Sequence, residues 1–384
     1  MDIKEDKAMP TWDVSFDLRL AIDDPEIVRT VATVESMAAV IRRIPLPPSV
    51  QRSIDRLNIL RAVKGTTGIE GTELTDDEVG RIMDASPGER VLPPSRQREE
   101  MEARNAEQVM KHIASELRSD PDLPLTEQLI CTIHELTTSG IDYENNEPGV
   151  YRSHPVRAGT YVPPTTREEI VRLMGEFVRW FNEGPRRNWP APVRAIVAHF
   201  YVVSIHPFGD GNGRTARAVE SFLLYRGGIN ARGFYSLANY YYRFRDRYVA
   251  LLDSVRFSSD HDLTPFVRFA LDGLLGELED VHSEVLAQVN IMAFTDLARE
   301  VLESRGRLGT KGGQRILNLL VALTAKPVSL TALRRGLHPL SRFYRDVSAK
   351  TLSRDIKFLL GEDIVIIDGD ELRANLEVMS QFVP

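Results

Sequence analysis

Apolar residues recur at helical intervals along most of the chain. Between Pro25 and Arg43 they fall at Ile27, Val28, Val31, Val34, Met37 and Ile41, one stripe of a 3.6-residue period. Pro25 suits a first helical turn, and the cluster Pro45-Leu-Pro-Pro48 ends the segment. A second helix is predicted from Ser49, a favourable N-cap, through Val63. Thr75 to Met83 reads as a short helix with a capping box between Thr75 and Glu78. Glu99 to Leu117 is charged with a narrow apolar stripe, and Leu125 to Thr138 is amphipathic. Thr166 to Asn182 sets Ile170, Leu173, Met174, Phe177 and Phe181 on one side. Pro190 to Val203 is apolar nearly throughout, which predicts a buried helix. Leu263 to Val301 is long and amphipathic.

The helical spacing vanishes between Pro148 and Pro164. There Val150, Val156, Tyr161 and Val162 flank turn residues, which predicts a short β-hairpin. Residues 1–24 are polar and predicted to be loosely ordered or draped over the surface. Gly306, Gly309, Gly312 and Gly313 among basic residues mark a linker. Beyond it come helices at Arg315–Thr324, Ser329–Arg335 and Ser348–Leu360, then a hairpin, Ile364 to Arg373, turning at Asp368-Gly369. That order resembles a winged helix-turn-helix. Its helices carry Arg334, Arg335, Arg342, Arg345, Lys350, Arg354 and Lys357 against Asp346 and Asp355, which suits phosphates. Its wing carries Glu362, Asp363, Asp368, Asp370 and Glu371, which would repel a DNA backbone. DNA binding and protein docking therefore both stay open for residues 314–384.

Composition narrows the class. The 384 residues are 42% hydrophobic and 27% charged, enough for a sizeable core. A net charge of −7 gives no global basic field for nucleic acid. No apolar run reaches about 18 residues, so no membrane span is expected. The amino terminus lacks a signal-peptide core. The one cysteine, Cys131, lies in an apolar pattern and reads as a packed thiol, consistent with a cytoplasmic compartment. His112, His134 and His199 sit in helical patterns and read as structural.

Chemistry concentrates in one loop. His206-Pro-Phe-Gly-Asp-Gly-Asn-Gly-Arg-Thr-Ala-Arg217 separates two apolar runs, so it reads as helix, tight polar loop, helix, the second starting at about Arg214. Three glycines let the backbone approach a ligand, and consecutive N–H groups ahead of a helix form an anion nest. One imidazole, one carboxylate, one amide and two guanidiniums surround it. That set suits phosphate chemistry with a metal. His206 is the candidate base, Asp210 the ligand of a hard cation, and the N–H groups of Gly211, Asn212 and Gly213 the cradle. The Asn212 side chain would orient phosphate oxygens, while Arg214 and Arg217 pair with them. Phe208 is the apolar anchor.

The same dodecapeptide resembles the motif of the Fic family, His-x-Phe-x-Asp/Glu-Gly-Asn-Gly-Arg-x-x-Arg, at every specified position. Upstream, Thr66, Glu70 and Gly71 resemble the family's inhibitory signature, Ser/Thr-x-x-x-Glu-Gly/Asn. Gly149-Val-Tyr-Arg152 resembles the opening of its flap, which aligns a target protein's segment. The resemblance covers roughly residues 60–300. It implies a mainly α fold, a Fic-type helical bundle with a small β-hairpin flap. It divides the chain into an N-terminal helical region with the inhibitory motif (1–110), a catalytic core (111–305) and the winged-helix-like domain (314–384). It implies transfer of AMP from ATP, with Mg²⁺, to a hydroxyl on a protein substrate held by the 148–164 flap, or on the protein itself, with Arg217 on the γ-phosphate and inhibition by Glu70. It places nucleoside contacts near Asn239 and Tyr242 and admits a homodimer. Three rivals stand beside this reading: removal of AMP using Glu70, transfer of another phosphate-containing group, and a DNA-binding regulator with a Fic-like sensor.

Overall fold

The computed structural model describes residues 12–86, 88–229 and 236–382. In it the apolar stripes become helices near the places their spacing marks. Helix α1 spans Pro25–Arg43, its first N–H groups capped by the Asp24 carboxylate. Helix α2, Pro48–Ile69, starts on a proline with no side-chain cap, so Ser49 is not its cap. It also runs past Val63 through two glycines. They are there for packing. A Cβ on Gly65 would lie 2.5 Å from the backbone of Asn239, and one on Gly68 would lie 2.6 Å from the Tyr242 ring. The glycines' lower helix propensity is offset by that close approach.

Helix α3, Asp76–Asp84, carries the expected Thr75–Glu78 capping box. Next come α4 (Gln97–Ser119), α5 (Glu127–Thr138) and α6 (Arg167–Asn182), the last two capped by Thr126 and Thr166. Helix α7, Ala191–Ile205, is buried from Val193 to Ile205 apart from the intermediate Arg194, as its continuous apolar run requires. It packs along α8, Asn212–Arg226. Helices α9 (Ala238–Arg243) and α10 (Arg245–Phe257) follow, and α9 lies against α2. Helix α11 spans Thr264–Ser304. Tyr241 and Tyr248 stack 4.6 Å apart in the core, and His199 shares a 2.8 Å hydrogen bond with the Tyr248 hydroxyl. His199 is thus a fully buried core imidazole, its Nδ1 3.3 Å from a Glu220 carboxylate oxygen. Phe234 and Tyr235, which open the aromatic-rich stretch Phe234 to Leu252, lie outside the described residues.

The expected β-hairpin at 148–164 is a correction. Its only strand-like pairing among the described residues is the single antiparallel bridge Ala158–Tyr161. Side chains hold the segment instead. The Arg152 guanidinium donates to the carbonyls of His206 (2.9 Å), His154 (2.8 Å) and Pro164 (2.6 Å). The Tyr161 hydroxyl donates to the Ser204 carbonyl at 3.0 Å. Backbone carbonyls here are met by these side chains rather than by a ladder, so apolar residues flanking turns overstated the strand content.

The chain divides into two units, Met1–His282 and Ser283–Pro384. The division falls ahead of the glycine-rich stretch 306–313, because Phe294, Ala298 and Leu302 belong to the second unit's core. That unit contains α12 (Lys311–Leu323), β1 (Val328–Ser329), α13 (Leu330–Arg334), α14 (Ala349–Gly361), β2 (Val365–Asp368) and β3 (Glu371–Ala374). The strands form an antiparallel sheet ordered β1-β3-β2, and the hairpin turns at Gly369-Asp370, one residue later than the expected Asp368-Gly369, since Asp368 pairs with Glu371. Among the described residues no helix is long and apolar enough to cross a membrane.

Candidate active site

The loop between α7 and α8 is built by its own residues. His206 closes α7 in the left-handed region (φ 51°), and Gly211 starts α8 at φ 72°. Between them Phe208 is fully buried and stacks on His134, ring centroids 3.7 Å apart. His134 also accepts from the Gly149 N–H (2.9 Å) and bonds the Asp210 carbonyl (3.0 Å). The helix α5 histidine therefore supports the loop from beneath. Asn146 accepts from the Asp210 N–H at 3.0 Å.

Asn212 departs from its expected role. Its side-chain oxygen accepts from the Phe208 N–H and its amide donates to the Phe208 carbonyl, both at 2.9 Å. The amide closes the loop on itself and is not free to orient a ligand. What remains for an anion is the first turn of α8, whose N–H groups have no partner within the helix.

The His206 Nδ1 faces the Val203 carbonyl at 3.1 Å, so that nitrogen carries the proton and Nε2 is the open lone pair. Burial pushes the imidazole's pKa down to about 4, and the Arg256 and Arg152 charges act the same way. His206 is consequently neutral at pH 7, as a base must be. Burial likewise lowers His134 to about 4. Unfolded imidazoles titrate near 6.5, so the unfolded state takes up protons first as pH falls. Stability associated with the two histidines is therefore present above about pH 6.5 and lost between there and about pH 4. The midpoint of thermal unfolding should fall across that window, less steeply in His134→Gln; a melting temperature flat from pH 7 to 4.5 would contradict the buried-neutral assignment.

The two guanidiniums are both occupied. Arg217, 2% exposed, donates through Nη2 to Glu70 Oε1 at 2.7 Å and through Nε to the Thr66 hydroxyl at 2.9 Å. A third bond reaches the Thr66 carbonyl at 3.0 Å. Glu70 lies over the start of α8, its Oε1 2.6 Å from where a Cβ on Gly213 would be. Burial alone would raise the Glu70 pKa, but Arg217's charge and hydrogen bond, with Arg214's charge, bring it below the ordinary value. The inhibitory signature's carboxylate thus sits charged where the helix attracts an anion. Arg214 bonds the Tyr143 hydroxyl (2.6 Å), Glu102 (3.2 Å) and Asp210 Oδ1 (3.1 Å). It is tied to protein groups rather than turned outward as expected.

Glu70, His206, Asp210, Gly213 and Arg217 border a cleft of about 790 Å³, lined also by Val156–Thr160 of the flap segment, Arg245, Tyr248 and Asp253. Asn239 and Tyr242 do not line it. Asn239 bonds Glu277 at 3.0 Å and Tyr242 covers Gly68 of α2. Both pack on the glycines of α2 and lie off this cleft, away from the place expected of nucleoside contacts. Arg152, His134, Asn146 and Glu102 went unassigned by motif reasoning. Only Arg152 had a signal, as the last residue of the flap pattern.

Asp210 keeps 41% of its side chain exposed, at the cleft. Among the described residues no group of three or more His, Cys, Asp or Glu could hold a metal. One open carboxylate beside a phosphate cradle nevertheless fits Mg²⁺, which binds through one or two carboxylates plus substrate phosphates and water.

Fold and site together define a helical protein that presents a glycine-rich loop and a neutral imidazole between two helices. Residues 124–224 match the Fic/DOC family. It is 30% identical over 210 residues to a protein adenylyltransferase Fic of Drosophila ananassae, covering 54% of this chain and 38% of that one. It is 32% identical over 163 residues to a protein adenylyltransferase Fic of Aedes aegypti, covering 42% and 30%. The chain thus spans less than two fifths of these relatives' lengths. A solved Fic family protein from Desulfovibrio desulfuricans shares the fold across 96% of this chain and 98% of its own, at TM-score 0.54 and 20% identity. Fic-1 from C. elegans matches over 68% of this chain and 73% of its own, at TM-score 0.55 and 21% identity.

Proposed function

We propose that the chain moves AMP from ATP to a hydroxyl side chain of a protein, and that Glu70 restrains it. The observation that carries this reading is the Glu70 carboxylate, paired with Arg217 over the first turn of α8. An anion already occupies the position in which a terminal phosphate would meet both a guanidinium and the helix dipole. In the transfer, the attacking hydroxyl oxygen bonds to the α-phosphorus, the bond to the bridging oxygen breaks, and pyrophosphate leaves. His206 Nε2 takes the hydroxyl's proton. Mg²⁺ on Asp210 would neutralise charge on the phosphates. The flap segment, fixed to the catalytic loop by Arg152, would line the target's hydroxyl up from the opposite side of the cleft. Incubation with ATP labelled at the α or the γ phosphate tests the reading: α label alone should enter protein, and γ label entering would refute it.

A second reading rests on Glu70 keeping 39% of its side chain exposed at the cleft that also contains His206. A carboxylate so placed could activate water and remove AMP from modified protein.

For residues 314–384 a docking role for a polyanion such as DNA is supported by a groove of about 580 Å³. It is lined by Arg334, Arg335, His338, Arg342 and Arg345. One of the nearby acids, Asp355, is taken up by Arg315 at 2.8 Å. A gel shift with duplex DNA that appears at low salt and disappears at high salt would support it. No shift at low salt would leave protein docking as the role.

A further inference from the structure

The first motif arginine, Arg214, is shared between two carboxylates. Asp210 takes its Nη2 at 3.1 Å, and Glu102 of α4 faces its Nη1 at 3.2 Å. Glu102 is 4% exposed and fully engaged. One oxygen accepts from the Tyr143 hydroxyl (2.8 Å) and Arg98 (3.2 Å), the other from the Thr72 hydroxyl (2.9 Å). Tyr143 in turn accepts from Arg214 at 2.6 Å. Thr72 immediately follows Gly71, the end of the inhibitory signature, and its N–H bonds the Thr67 carbonyl of α2 at 3.2 Å. A hydrogen-bonded line therefore runs Thr72–Glu102–Arg214–Asp210, from the inhibitory segment to the loop's one open carboxylate.

We propose that Glu102 is a positioning residue for the cation site: it takes up Arg214's charge and so leaves Asp210 available to a divalent metal. The inference rests on the ATP-dependent reading above. The reason is electrostatic. Arg214 is buried, and its guanidinium cannot shed its proton. With Glu102 ionised, one of the two carboxylates balances that charge, and the Asp210 side chain stays attractive to a cation. In Glu102→Gln, Asp210 is left as the only carboxylate among the described residues ion-paired to Arg214, and a metal must compete with a guanidinium for it. Partners of metal ligands commonly change metal affinity 10–100-fold when removed. Glu102 also touches Thr72, so displacing the end of α2 would alter the metal side of the site as well as freeing Arg217.

The test separates metal from nucleotide. In the Glu70→Gly background, calorimetry measures the Kd of a non-hydrolysable ATP analogue with and without Mg²⁺. The ratio of the two is the metal-dependent gain. Glu102→Gln should lower that gain at least tenfold and leave the metal-free Kd within about twofold. A purely structural role would move the metal-free Kd or the melting temperature and spare the ratio. Where Glu102→Gln does not fold, Glu102→Asp replaces it; its shorter reach loosens the hold on Arg214, and the gain should fall by a smaller factor. A gain unchanged in the folded variant overturns the inference. Absence of any nucleotide binding by the Glu70→Gly parent overturns the functional reading itself, a distinguishable result.

Discussion

Glu70→Gly should raise incorporation of α label from ATP by about tenfold to a hundredfold over the wild-type chain. On the proposed reading, the carboxylate and the γ-phosphate compete for one guanidinium. Arg217 is almost wholly buried while Glu70 is 39% exposed. Their pairing therefore lies between the exposed limit of about 0–1 kcal/mol and the fully buried cost of about 3–5 kcal/mol. Relief of about 1.4–2.8 kcal/mol corresponds to the range expected. The substitution should not scatter the site, because Arg217 keeps two bonds to Thr66 after Glu70 is gone. The guanidinium stays aimed, and the vacated place over Gly213 is open to phosphate. Adding Arg217→Ala should return the protein to inactivity, since the freed site then lacks its phosphate partner. Equal incorporation by Glu70→Gly and wild type would reject inhibition by this contact. Should the variant instead lose an ability to strip AMP from modified protein, the reverse reaction becomes the better account.

His206→Ala should reduce transfer by about 10²–10⁴-fold, the usual scale for one general base. ATP affinity should change only a few-fold. The imidazole's free nitrogen faces the cleft, whereas phosphate is met by the α8 terminus and Arg217. His206 also occupies left-handed backbone, φ 51°, which costs alanine about 1 kcal/mol. His206→Asn tolerates that conformation better and controls for it; both variants should be equally inactive. Both substitutions belong in the Glu70→Gly background, where activity is high enough to measure the loss. Near wild-type transfer by His206→Asn would remove the imidazole from proton abstraction.

Much of the architecture was legible in the chain. Stripes at 3.6-residue spacing marked nearly every helix, since burial of one helical face is a local property of the sequence. The Thr75–Glu78 box, Thr126 and Thr166 cap the helices that their spacing placed, because a cap reaches only the next turn. The flap was overread. Apolar residues flanking turns near Tyr161 matched a hairpin, but Arg152 satisfies the surrounding carbonyls from the side, and no local pattern reveals where a guanidinium will reach.

The chemical inventory of the site was also determined by sequence: one loop holds the imidazole, the carboxylate, the cradle and both arginines within twelve residues. Tertiary structure decided their assignments. Asn212 turns its amide onto Phe208, so the loop is self-stapled and only main-chain groups remain for an anion. Asn239 and Tyr242 press on the glycines of α2 rather than on the cleft. Glu102, unremarkable on a charged helix, is buried against Arg214. Thr66 and Glu70 share a helical face by spacing alone, but that this face meets Arg217 depends on the packing of α2, α8 and α9. Helix formation is governed by neighbours three and four residues away, whereas the charge opposite a given guanidinium is fixed only when distant helices pack, and two glycines without side chains permit that approach here.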